Sequence, residues 1–139
     1  MIHGLTDSGA IPALERMVQF AAGRQELIAN NIANASTPGF RPADVSVADF
    51  QRQLGEAIDA RRSGEGFAPE SSREVTFLDD GVALAPRPIG DNLLFHDGND
   101  RNLEHLMQDL SENFLAFRFA TTMLRNHFGL LNTAIRGRL

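Results

Sequence analysis

The sequence predicts a mainly α protein: long N- and C-terminal helices that pair, with a small irregular and β-hairpin segment between them. Three observations predict it. From Leu103, alternate steps of four and three residues meet Met107, Leu110, Phe114, Phe117, Thr121, Leu124, Phe128, Leu131 and Ile135, all apolar except Thr121. A helix presents such a heptad stripe as one continuous seam. A second seam begins at Leu14 and continues through Val18, Ala21, Gln25, Ile28, Ile32 and Ala35. Between the two seams, Asp79-Asp80-Gly81 separates two short runs of β-formers. At 1.5 Å per residue the C-terminal helix is about 50 Å long. A domain of 139 residues cannot surround it, so it needs a partner along its length, inside or outside the chain.

Composition narrows the function classes. The formal charge is −5, from 18 acids against 13 bases, which argues against a nucleic-acid partner. All the bases are Arg, because Lys is absent. Cys is absent too, so disulfides are excluded. No apolar run reaches the roughly 18 to 20 residues of a membrane span, and Glu112, Arg118 and Arg125 interrupt the C-terminal helix. No basic segment followed by an apolar core begins the chain, so no cleaved signal peptide is expected.

The elements follow in order. Met1 to Ile11 reads as a lead-in, and Pro12 suits the first turn of the N-terminal helix, where its missing N–H costs nothing. The seam from Leu14 is made of smaller residues than the Phe-rich C-terminal one, which allows close helix approach. The helix is expected to stop between Asn34 and Gly39, where Thr37-Pro38-Gly39-Phe40 has the Pro-Gly centre of a type II turn. Asn30, Asn31 and Asn34 are poor helix formers, together costing about 1–2 kcal/mol relative to Ala. Their amides have two uses that offset this: bonding terminal helix carbonyls, or bonding a neighbouring chain.

Val47, Phe50, Leu54 and Ile58 fall near helical spacing, and Ser46 with Asp49 resembles a capping box, so a short helix is expected over 46–60. Arg61 to Arg73, with Gly64, Gly66, Pro69 and paired serines, reads as an exposed linker. Residues 74–78 and 82–84 then make the hairpin, which must lean on other structure to be stable. Pro86 and Pro88 end it. His96, Asp97 and Asp100 invite a metal reading, but a calcium loop starting at Asp97 would need Gly where Asn102 stands. A helix cap at Asp100 or Asn102, with Glu104 near the helix N-terminus, is the expected role. No metal or other cofactor is expected.

Ala29-Asn30-Asn31-Ile32-Ala33-Asn34-Ala35-Ser36-Thr37-Pro38-Gly39-Phe40-Arg41, with Gln25 upstream, resembles the N-terminal signature of flagellar axial proteins, those of the bacterial rod and hook. Phe40 and Arg41 stand where Tyr and Lys are usual. Asp97-Gly98-Asn99, Leu103-Glu104, Leu110-Ser111-Glu112-Asn113 and the run from Leu124 to Gly137 are similar to the C-terminal half of the proximal-rod proteins. The short middle segment also fits that subfamily. The resemblance implies an antiparallel coiled-coil hairpin, formed by a discontinuous core domain of residues 1–40 and 96–139, with 41–95 as the middle segment. It implies a structural subunit of the basal-body rod in the periplasm, exported through the flagellar apparatus without a cleaved signal peptide. Its implied partners are other rod proteins and copies of itself, the adaptor joining rod to membrane ring, and the export gate.

Enzyme chemistry has no support: no Cys, Gly-x-Ser-x-Gly, phosphate loop or zinc pattern occurs, and the sequence around His3, His96, His105 and His127 offers no acid–base catalytic pattern. A soluble helical-hairpin adaptor that does not polymerise explains both seams equally well. Apolar residues off the main stripe separate it from a rod subunit. Leu106, Leu115, Phe119, Met123 and Leu130 would stay partly wet on a two-helix hairpin, and such a surface marks a protein interface. Leu115, Phe119, Met123 and Leu130 are therefore candidate outer-interface residues. Gln25, Asn30, Asn31, Asn34, Thr37, Pro38, Gly39 and Phe40 are candidate intersubunit contacts by resemblance.

Overall fold

The computed structural model describes residues 10–89 and 103–137. Residues 1–9 of the lead-in and the His96–Asn102 stretch, with its expected helix cap, lie outside the described residues; Ile11, read as the end of the lead-in, is instead the buried first residue of a helix. Among the described residues, three helices and four short strands follow in order: α1 (Ile11–Ala33), β1 (Ala43–Asp44), α2 (Val47–Arg62), β2 (Val75–Phe77), β3 (Val82–Leu84), β4 (Arg87–Pro88) and α3 (Leu103–Ile135). At 1.5 Å per residue, α1 is about 35 Å long and α3 about 50 Å. They pack antiparallel, the principal pairing of the fold: Asp109 of α3 meets Arg24, and Asn113 meets Ala21.

Each helix starts and stops for a local reason. Pro12 lies in the first turn of α1, whose N-cap is Ala10 with no side-chain cap. At its end the Asn34 N–H returns to the Asn30 carbonyl at 3.1 Å. The turn beyond has the expected form: the Phe40 N–H donates to the Thr37 carbonyl at 3.2 Å, and Gly39 takes a φ of +74°. That angle is the reason a type II turn places Gly there. Helix α2 begins at the expected cap, with the Ser46 hydroxyl accepting from the Asp49 N–H at 3.1 Å.

The middle segment is not tethered loosely. Val45, Phe50, Leu54 and Val75 share one buried cluster with Ala13 and Phe20 of α1. The rings of Phe20 and Phe50 stack with centroids 3.9 Å apart, and Phe77 also stacks on Phe50, at 5.9 Å. The β2–β3 hairpin pairs Val75 with Leu84 and Phe77 with Val82. What it leans on is α1: Arg16 donates to the carbonyls of Gly81 and Asp79, at 3.0 and 3.1 Å. Gly23 lets the hairpin approach, since a Cβ there would lie 2.8 Å from Leu84 Cδ1.

One pairing departs from the sequence reading. Pro88 does not lie outside all strand structure but belongs to β4, which pairs antiparallel with β1. The Ile89 N–H extends the contact to the Pro42 carbonyl at 2.9 Å. A two-residue edge strand tolerates Pro because its missing N–H can face away from the ladder.

Candidate functional site

The signature stretch sits at the C-terminal end of α1, and its three Asn side chains divide the work. Asn34 Nδ2 donates to the carbonyl and to Oδ1 of Asn30, at 2.9 and 3.1 Å, a local helix-end role. Asn31 points the other way. Its Nδ2 donates to the Ala43 carbonyl at 2.8 Å, and its Oδ1 accepts the Ala43 N–H at 3.1 Å. Expected from the sequence as a candidate contact to a neighbouring chain, Asn31 is instead buried and spends both ends of its amide inside the subunit. It ties the end of α1 to β1, closing the turn between them. Asn30, Thr37, Pro38 and Gly39 are exposed around that turn, and Phe40 is half-buried.

This predicts unequal costs. Asn31→Ala leaves two backbone groups of Ala43 without their partner and is expected to destabilise by about 1–3 kcal/mol. Asn34→Ala removes only an exposed helix-end contact and should cost below about 1 kcal/mol. Urea unfolding followed by circular dichroism distinguishes the two.

The α1–α3 seam has a polar centre. Arg24, itself buried, places Nη2 2.6 Å from Asp44 Oδ2 and 3.2 Å from Asp109 Oδ1, while its Nε donates to Asp44 Oδ1 at 3.0 Å. Asp44 also accepts the Val45 N–H at 2.8 Å. Burial pulls the Arg24 guanidinium down, but the hydrogen bond and charge of Asp44, with the charge of Asp109, outweigh it and leave its pKa above the ordinary value. One turn further along α3, buried Asn113 donates to the Ala21 carbonyl at 2.9 Å and to Gln25 Oε1 at 3.0 Å. Gln25, which breaks the apolar pattern of α1, therefore has its polar match across the seam.

The face that α3 turns to α1 differs from the expected one. Leu110, Phe117, Thr121, Leu124 and Leu131 are half-buried. Leu103, Met107, Phe114, Phe128 and Ile135 are exposed, although the heptad stripe placed them in the seam. Leu106, placed off the stripe, is buried with Asn113 and Ala120. The helix is rotated so that a line through Leu106, Asn113 and Ala120 meets α1, with half-buried His127 on the same line. The physical reason is closeness: Asn113 bonds to the Ala21 carbonyl and small Ala120 lies two turns further along the same line, whereas Phe at those positions would hold the helices apart. On α1, Leu14 and Ile28 are buried, and Val18 and Ile32 are half-buried.

Arg24, Asp44, Asp109 and Asn113 escape an apolar-periodicity search because they are polar. The available signal was a seven-residue spacing, shared by Leu106, Asn113, Ala120 and His127.

The outward face of α3 remains apolar. Leu115, Phe119 and Leu130 are 63%, 57% and 68% exposed, and Met123 is half-buried. Phe114 and Phe128 are exposed as well, on a different flank of the helix, so α3 carries apolar surface of the kind that marks an interface on two sides. The geometry suits packing between chains. Among the described residues, no group of three or more His, Asp or Glu is placed to hold a metal ion, and no helix is long and apolar enough to cross a membrane.

Residues 18–41 match the family model described as "Flagella basal body rod protein". Over longer stretches the chain is similar to flagellar basal body rod proteins named FlgB. That of Bacillus subtilis (strain 168) is 26% identical over 130 residues, covering 94% of this chain and 95% of the relative. That of Borrelia hermsii is 26% identical over 136 residues, covering 91% and 96%. That of Yersinia enterocolitica is 31% identical over 124 residues, covering 84% and 85%. The likeness thus runs through both terminal helices and the segment between them, and the chain belongs to the FlgB family of flagellar basal body rod proteins.

Proposed function

We propose that the chain acts as a structural subunit of the proximal rod whose α1–α3 hairpin packs against neighbouring subunits to build the wall of the drive-shaft tube. In this reading residues 1–40 and 96–139 form the assembling unit, and 41–95 face outward. Copies of the chain and other rod proteins cover Leu115, Phe119, Met123 and Leu130, together with the exposed half of the heptad stripe. The exposed part of the signature, Asn30 and Thr37 to Phe40, touches the next subunit, positioned by Asn31 from inside. The adaptor between rod and membrane ring and the export gate are the further partners. The subunit reaches the periplasmic rod through the flagellar export apparatus, and its role there is structural.

The observation that carries this reading is the apolar surface of α3. A hairpin adaptor that closed on itself would have no use for Phe119 and Leu130 at the surface.

Phe119→Glu tests it. The side chain is exposed, so stability is expected to change by no more than about 0.5 kcal/mol. Cells carrying the variant as their sole copy are expected to lose rods and swimming, while the purified chain keeps its circular dichroism. Normal swimming would remove α3's outer face from the assembly.

A further inference from the structure

The charges of α3 are segregated along its length. Glu104, Asp109 and Glu112 all precede Asn113, and Arg118 and Arg125 both follow it. The helix macrodipole favours this order only in the first and last turns. It accounts for Glu104 but not for Glu112, Arg118 or Arg125. Arg118 and Arg125 form no ion pair among the described residues, and there Glu112 accepts only from Gln108 Nε2, at 2.8 Å.

The charges are also segregated around the helix. At about 100° per residue, Phe114, Arg118, Arg125 and Phe128 share one flank. Glu112, Leu115, Phe119 and Leu130 share a second flank, the face toward α1 lying between the two. The Glu112 flank borders a cleft of about 380 Å³ between α2 and α3, floored by Met17, Phe20, Phe50 and Leu54. One side of the helix thus offers aromatic rings and arginines. The other offers a carboxylate beside an apolar cleft. Both halves of a complementary contact occur on one molecule, on surfaces that cannot meet each other.

We propose that the Phe114–Arg118–Arg125 flank of α3 docks against the Glu112 side of a second copy of this chain. The contact is heterologous, and the two α3 helices run parallel. This rests on the rod-subunit reading and adds which two flanks meet and in what register. A two-fold contact would set Arg118 near Arg118 or Glu112 near Glu112, placing like charges together. A screw-related contact sets opposite charges together and repeats without closing on a dimer. Opposition of Arg118 and Glu112 requires a shift of six residues, about 9 Å, and opposition of Arg125 and Glu112 about 20 Å. The stagger between neighbours therefore falls at roughly 9–20 Å along the helix.

The absence of Cys makes the test direct. Chains carrying Glu112→Cys and chains carrying Arg118→Cys are produced together in flagellated cells, and isolated basal bodies are treated with a short bismaleimide cross-linker. A dimer of this chain is expected from the mixture and from neither variant alone. A dimer from either variant alone, no dimer at all, or a cross-link only to a different rod protein overturns the proposal. A charge exchange supplies the second reading. Arg118→Glu with Arg125→Glu is expected to reduce flagellated cells at least tenfold, and adding Glu112→Arg in the same chain should restore most of them. No restoration by a chain with native circular dichroism also overturns it. If deleting the chain leaves flagella intact, the rod reading itself fails. If deletion abolishes flagella and the cross-links follow another pattern, only the docking geometry fails.

Discussion

Replacing Arg24 with Met is expected to lower the free energy of unfolding by about 3–5 kcal/mol, a large share of the total for a domain of this size. Met keeps the apolar stem and removes the charge. Asp44, whose side chain is 17% exposed, then faces the interior with only the Val45 N–H as partner. Asp109 at 32% exposure turns to water more readily, so most of the cost falls on Asp44. Arg24→Lys should lie between wild type and Met, because an ammonium keeps the charge but cannot span both carboxylates as the guanidinium fork does. Urea denaturation of the three proteins at neutral pH checks the order. A Met variant within 1 kcal/mol of wild type would mean that the buried pair contributes specificity rather than stability, a known outcome for buried ion pairs.

Phe50→Ala is expected to cost about as much, roughly 3–5 kcal/mol, by a different route. Phe50 is the ring on which α2 is anchored, stacked with Phe20 of α1 and Phe77 of β2. Removing it opens a cavity in the only buried cluster that joins the middle segment to α1 among the described residues. Hydrogen exchange should then show α2 amides losing protection before those of the α1–α3 pair. Phe50→Leu, which refills most of the space, should recover the larger part. Equal loss of protection in all three helices would show that the segment and the hairpin unfold as one cooperative unit.

Much of the fold was legible in the sequence, wherever a local rule acts alone. The span of α3 follows from an uninterrupted apolar period, and the start of α2 from Ser46 and Asp49. The β2–β3 turn follows from Asp80-Gly81, and the end of α1 from Thr37-Pro38-Gly39. The β1–β4 pair was not legible, because two residues carry no alternation and Pro42 and Pro88 argue against strands. Nor was the rotation of α3. Its sequence offers large apolar residues on more than one side, so the period identifies a helix but not the side that α1 takes. That choice was made by Ala21, Ala120 and Asn113, where small size and hydrogen bonding outrank hydrophobicity. The candidate site was legible as a motif but not as a set of directions. Asn31 and Asn30 are neighbours in the chain, yet one faces the interior and the other water.

The polar contacts at the centre of the hairpin also set a length. Arg24 with Asp109 and Asn113 with Ala21 fix the axial offset between the helices, and sliding by even one turn would separate all four partners. By that offset Ile11 stands opposite about residue 123, so the last dozen residues of α3, roughly 18 Å, run beyond the described start of α1. The central salt bridge therefore works as a ruler. It sets how far Phe128, Leu130 and Ile135 reach past the first turn of α1, and so how much apolar helix extends beyond the described start of its partner.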